Sequence, residues 1–184
     1  MRRGAIRDAR GSEILEAALV LPLLFMFLMA IFWFGQAYRI YGTITRAAFE
    51  GARAAAATVC ATCAASANTP ATNALNAVNA ALTGTKLDPN QVVMPATTPV
   101  LSACGTQGAI CGAAVACDPS VTNMCVQTNV QLSSCTQTLP GAATCGTSVS
   151  FGYKYPYRLA IPYTTLNLGN ITLPAQAQSR LETQ

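Results

Sequence analysis

Apolar positions follow three regimes along the chain. From Ile14 to Phe34 they are continuous, interrupted by one charge, Glu16, and one proline, Pro22. A run of about 20 apolar residues crosses the ~30 Å hydrocarbon core of a bilayer as a helix. Past Phe34 the run gives way to a period of 3.6: Ala37, Ile40 or Tyr41, Ile44, Ala48, Gly51 or Ala52 and Ala55 recur on one face. Arg39, Arg46, Glu50 and Arg53 fall on the other face, with Arg46 and Glu50 four residues apart. Residues 12–57 therefore read as one helix, roughly 70 Å long at its usual rise per residue. Its first part, 14–34, lies in lipid and its second packs under a head. Ala47, Gly51 and Ala55 are small enough to let a covering element approach closely. Pro22 lacks a backbone donor and crowds the preceding turn, which predicts a kink or local melting, a break that membrane helices tolerate.

Beyond residue 57 the segments are short. Thr58 to Pro70 is an Ala/Thr/Ser connector, and Thr72 to Leu82 a short helix with Leu75, Val78 and Leu82 on one face, ended by Thr83-Gly84. Gln91 to Met94 is a brief strand stopped by Pro95. Cys125 to Leu132 alternates through Val126, Thr128, Val130 and Leu132. The clearest strand is Thr147 to Tyr157, with Val149, Phe151, Tyr153, Tyr155 and Tyr157 on one face; Ile171 to Leu181 is a last strand containing Pro174. The expected fold is α+β: a long transmembrane and amphipathic helix, a short second helix, and a small antiparallel sheet with disulfide-rich loops. The tyrosine-rich face reads as half-buried strand packing rather than a binding platform.

Composition narrows the class. The chain has 184 residues, enough for one modest head (58–184) after a basic leader (1–11) and the helix (12–57). Of the net charge of +4, most comes from Arg2, Arg3, Arg7 and Arg10, opposed there only by Asp8. The remainder is nearly neutral, so no nucleic-acid surface is expected. The arginines place the N-terminus in the cytoplasm and the head across the membrane. A cleaved secretory signal fits poorly, because the apolar run is long and ends in the bulky Phe32-Trp33-Phe34 without an A-x-A-type site.

All eight cysteines, Cys60, Cys63, Cys104, Cys111, Cys117, Cys125, Cys135 and Cys145, follow the helix, as expected in an oxidising compartment. Cys60-Ala-Thr-Cys63 has redox-motif spacing but no strand before it. The other six show no metal-ligand regularity, and there is no histidine. Structural disulfides are expected, with neighbours pairing as Cys60–Cys63, Cys104–Cys111, Cys117–Cys125 and Cys135–Cys145, largely within an insert at 101–146. No cofactor or metal is expected. Neither is catalysis: the usual general base is missing, as are the common nucleophile, P-loop and dinucleotide motifs.

The residues that set the first helix apart also carry a resemblance. Arg10-Gly11, a short spacer, Glu16 and an apolar run broken by Pro22 resemble the leader and N-terminal helix of type IV pilin-like proteins. Gly11…Leu15-Glu16-Ala17-Ala18-Leu19-Val20-Leu21-Pro22-Leu23-Leu24, with Ala47-Ala48-Phe49-Glu50-Gly51-Ala52-Arg53, closely resembles the TadE-like pseudopilins of tight-adherence (Flp/Tad) systems. Less specifically, 149–155 and 171–182 are similar to that family's late strands.

The resemblance implies a single-pass protein of the bacterial inner membrane, cut by a prepilin peptidase between Gly11 and Ser12. Glu16 becomes the fifth residue of the mature chain, and the protein joins a Tad pilus as a minor subunit or assembly factor. The implied partners are the peptidase, other pilins and pseudopilins, the Tad inner-membrane platform and membrane lipid. In a subunit stack the new amine at Ser12 and a neighbour's Glu16 neutralise each other, which selects register because an unpaired buried charge costs more than a paired one. Two other readings compete: an uncut bitopic protein whose disulfide-linked head serves an envelope complex, and an adhesin or ligand-binding head displayed on a pilus.

Overall fold

A computed structural model describes residues 5–57, 69–104, 113–132, 144–161 and 164–180. Helix α1 runs from Ala5 to Ala56. Compact units divide within it, Met1–Ile40 and Tyr41–Gln184. The helical assignment passes unbroken through Pro22, so the expected local melting does not occur. The cost of the missing donor is confined to one bond that its neighbours in the helix outweigh.

Within the second unit the 3.6-residue pattern holds. Ile44, Ala47, Ala48, Gly51, Ala52, Ala55 and Ala56 are buried, while Arg46 and Arg53 are exposed. Helix α2 (Pro70–Gly84) begins at Thr69, whose hydroxyl accepts from the Thr72 N–H (3.3 Å), with Pro70 in the first turn where its missing donor is harmless. Its buried face is Ala71, Ala74, Val78 and Leu82; Leu75 is only half-buried. The helix ends at Gly84, with Thr85 as its cap. Lys86 takes the left-handed conformation (φ 62°), its N–H donating to Thr83 O (3.0 Å) and that of Leu87 to Leu82 O (2.9 Å). The end at Thr83-Gly84 is the one expected, and the left-handed residue that follows it is a lysine.

A 3₁₀ turn (Pro89–Gln91) leads into β1 (Val92–Val93), followed by β2 (Cys125–Gln131), β3 (Cys145–Ile161) and β4 (Thr164–Arg180). All pairings are antiparallel and centre on β3. β4 lines one side of it; β2 and β1 share the other, at Cys145–Ser150 and Gly152–Tyr153 respectively. Pro174 lies within β4 opposite Gly152, on a strand that among the described residues pairs only with β3, the edge setting in which a strand admits proline. The α+β architecture expected from the sequence is the one observed.

Alternation along β2 is not what the sequence suggested. Val126 opposes Val149 but Val130 opposes Gly146, because the register slips between Gln127 and Val130, where Asn129 adopts φ 55°. The extra residue is a bulge, and it turns Val126 and Val130 to opposite faces. Both faces of β3 are covered. On one, Val149, Phe151 and Tyr153 are buried. There α1, α2 and β3 converge at Gly51: a Cβ added to it would lie 2.6 Å from Val78 Cγ2 and 3.7 Å from Val149 Cγ1. The Tyr153 hydroxyl accepts from the Asp88 N–H (3.1 Å), and burial pushes its pKa above the ordinary value, against that hydrogen bond. The core reading of this face therefore holds for Val149, Phe151 and Tyr153; the side chain of Tyr157 lies outside those described.

On the opposite face, Ser148 and Ser150 are buried, and Gln127, opposite Ser148, bonds Pro99 O and Val115 O of a loop layer that precedes β2. Residues 101–104 and 113–118 are stitched to β2. The N–H groups of Cys104, Gln131 and Asp118 donate to Asn129 O (2.8 Å), Ser102 O (2.9 Å) and Val126 O (2.9 Å). Two disulfides fasten this layer, Cys104–Cys145 (Cα–Cα 5.7 Å) and Cys117–Cys125 (4.9 Å). The second matches the expected neighbour pairing. The first overturns Cys104–Cys111 and Cys135–Cys145: pairing of the layer with β2 carries Cys104 to the start of β3, far along the chain but close in space. Cys60, Cys63, Cys111 and Cys135 lie outside the described residues.

Candidate functional site

The candidate site is the first part of α1. Gly11 and Ser12 lie on its backbone two turns after Ala5, and Glu16 follows Ser12 by four residues, one turn further along the same face. Glu13 and Glu16 are exposed, as is Pro22. The apolar side chains that follow are exposed too: Leu19 is 70 % accessible, Met26 74 % and Phe34 77 %. Such an accumulation of large apolar surface is not stable in water. Among the described residues α1 is the one helix long and apolar enough to cross a membrane.

Trp33, near the end of this run, and Tyr38 and Tyr41 beyond it are residues of the kind that a membrane–water belt holds. Tyr38 and Tyr41 are exposed. Higher still, Phe49 is half accessible and lies beside the exposed Arg46 and Arg53 at helical spacing, so the side of α1 away from the sheet keeps an aromatic and two cations. Sequence periodicity marked the buried side of this segment but gave Phe49 no role.

Gly11, Ser12 and Glu16 lie within two turns of one helix, in the first unit, and the described cysteines, Cys104, Cys117, Cys125 and Cys145, belong to the second. Among the described residues no cluster of three or more histidines, cysteines, aspartates or glutamates is placed to hold a metal. In the insert, Asp118 is occupied locally: its carboxylate accepts from the Ser120 N–H (2.9 Å), and the Ser120 hydrogen bonds hold its pKa below the usual carboxylate value.

Comparison with known families finds a match for this segment. Residues 11–53 match the TadE-like protein family. The match opens on Gly11, contains Glu16 and Pro22, and closes on Arg53 within the buried part of α1. It therefore takes in both the lipid-length run and the helix that supports the head, and the TadE-like segment ends before the connector. No curated protein and no solved structure matches the chain.

The polar groups of the insert-covered sheet face went unread in the sequence. Gln127, Ser148 and Ser150 sit in alternating strands where polar residues normally face water. The sequence offers one tie of this layer, the neighbour pair Cys117–Cys125, while the others are a disulfide between distant cysteines, hydrogen bonds of the main chain and those of the Gln127 amide.

Proposed function

We propose that the protein is a TadE-like minor pseudopilin of a Tad pilus, held in the inner membrane with its N-terminus in the cytoplasm and its head in the periplasm. The family match over 11–53, beginning at the glycine of the expected cut, carries this reading. Prepilin peptidase cuts between Gly11 and Ser12, removing the arginine-rich leader and leaving an amine four residues before Glu16. The exposed apolar surface of α1 faces lipid until the subunit is drawn into a bundle of pilin-like helices. There Glu16 takes up the N-terminal amine of a neighbour, a pairing that a low-dielectric setting favours over either charge alone. The protein acts as substrate of the peptidase and as a structural component, not as an enzyme.

One observation favours the uncut alternative: α1 is helical straight through the Gly11–Ser12 bond, whereas a protease needs its substrate extended. Gly11 lowers that barrier, since glycine costs a helix about 1 kcal/mol relative to alanine and the bond lies near the helix start, where turns fray. Intact-mass analysis of the protein from membranes of cells expressing the peptidase decides between the two. A mature chain starting at Ser12 supports the pseudopilin; an intact leader makes the protein a bitopic component of an envelope complex. Glu16→Ala is expected to leave cleavage intact and to abolish recovery in sheared pili, and undiminished recovery would remove Glu16 from assembly.

A further inference from the structure

Three side-chain oxygens on the insert-covered face of the sheet have no hydrogen-bond partner among the described residues: Gln127 Oε1, Ser148 Oγ and Ser150 Oγ. Their residues are 2 %, 1 % and 3 % accessible. They are neighbours by register, Gln127 opposite Ser148 and Ser150 two residues along the same face of β3. Folded chains seldom bury even one such group without a partner, and here three share one place.

The orientation of the Gln127 amide is fixed by its own bonds. Its Nε2 donates to Pro99 O (3.1 Å) and Val115 O (2.6 Å), using both N–H groups on the covering layer. A flipped amide would set its oxygen against those two carbonyls, so Oε1 is left as a buried acceptor beside the serines.

The chemistry of the three groups selects what completes them. A bare cation needs charged or numerous oxygen ligands, and the one carboxylate between Asp88 and Gly152, Asp118, is turned to Ser120. An anion needs donors and positive charge. The Gln127 amide donors are spent, Gln178 and Gln176, opposite Ser148 and Ser150 on β4, are exposed, no lysine or arginine occurs between Lys86 and Lys154, and Arg180, opposite Gly146, is exposed. Water is neutral, donates to an acceptor-only oxygen and exchanges either role with a hydroxyl. We infer that Gln127, Ser148 and Ser150 form an internal water site that joins the disulfide-fastened layer to the central strand. Water held there completes a polar path from β3 through the Gln127 amide to the carbonyls of Pro99 and Val115.

The test is made on the full chain in detergent micelles by water-selective NMR. Expected are cross-peaks of the sign given by long-lived bound water at the Gln127 side-chain amide and the Ser148 and Ser150 N–H groups, lost in Ser148→Ala/Ser150→Ala. Chemical unfolding of the same variants supplies an independent readout. Two hydroxyls two residues apart on a strand, about 7 Å between Cα atoms, do not bond each other directly. A shared water therefore makes the two substitutions non-additive, each alone lowering the folding constant roughly tenfold and both together little more. Absence of the water cross-peaks, or losses that simply multiply, overturns the site.

Discussion

Between Ile14 and Phe34, α1 presents leucines and phenylalanines to its surroundings; between Ile44 and Ala56 it buries alanines and a glycine. Leu19 is 70 % accessible and Ala48 is 0 %, although both lie on the same helix and inside the same TadE-like match. Side-chain size explains the contrast. Large apolar residues offer surface to a partner that is not this chain, whether lipid or another helix. Small ones allow α2 and β3 to approach the backbone and leave little else to pack. What makes a residue stabilising on this helix is thus set by what covers it, not by its hydrophobicity.

Phenylalanine gives the sharpest way to break that comparison, since it occurs in both settings. Phe151 is fully buried on β3 and Phe27 is 64 % accessible on α1. Phe151→Ala is expected to cost the head about 3–5 kcal/mol, measured by chemical unfolding of the detergent-solubilised chain. Phe27→Ala should move the same transition by less than about 0.5 kcal/mol. Comparable losses would mean that the apolar run belongs to the fold of the head.

The two disulfides extend the comparison to a part of the head that is held without large apolar residues. Taken alone, Cys104–Cys145 closes a separation of 41 residues and Cys117–Cys125 one of 8. In the chain-entropy picture these correspond to about 4 and about 2.6 kcal/mol. Replacing each pair by alanine and reading the unfolding midpoint should therefore show the larger loss for Cys104/Cys145. The reverse order would place the main stabilisation in the short loop.

Legibility in the sequence follows the same division. The lipid-length run, the buried face of α1 and the apolar face of β3 were readable because each is written in a local period, 3.6 or 2. Glu16 and Pro22 stand out in the sequence as exceptions to such a pattern, and Gly11 by its distance before Glu16; their roles rest on the proposal. The Cys104–Cys145 bridge was not readable, because pairing by proximity in sequence ignores the strand that brings residue 104 beside residue 145. The face change across Asn129 was equally hidden, since a bulge adds a residue without altering the apparent alternation. The end of α2 at Gly84 was readable, whereas the left-handed turn at Lys86 and the closing hydrogen bonds of Lys86 and Leu87 were not, since lysine carries no signal for that conformation.

Two glycines of α1 test the size argument with a smaller effect. A Cβ on Gly51 would stand 2.6 Å from Val78 Cγ2 and 3.3 Å from the main-chain oxygen of Ala74, while one on Gly42 meets nothing within 4 Å. Gly51→Ala gains helix propensity but forces α2 away, for a net loss of about 1–2 kcal/mol. Gly42→Ala has only the gain, up to about 1 kcal/mol. Thermal unfolding of the two variants should shift in opposite directions. A stabilised Gly51→Ala would show that α2 yields without cost.

Tyr153 supplies the smallest effect and the one that depends on pH. Its ring is part of the buried face of β3, and its hydroxyl accepts from the Asp88 N–H. Burial raises its pKa in the folded chain, so the folded state holds its proton at pH values where the unfolded state has released it. The contribution is complete below the unfolded tyrosine pKa of about 10 and is lost as pH rises from there through the higher folded value. Near neutral pH, Tyr153→Phe should cost about 0.5–1.5 kcal/mol, the worth of one hydrogen bond. Above pH of about 10 the variant should lose stability less steeply than the parent, and the two curves should converge. Parallel curves in alkaline titrations of unfolding would mean that the Tyr153 hydroxyl is solvated, and that the strand face shared with Phe151 opens where it meets the 3₁₀ turn.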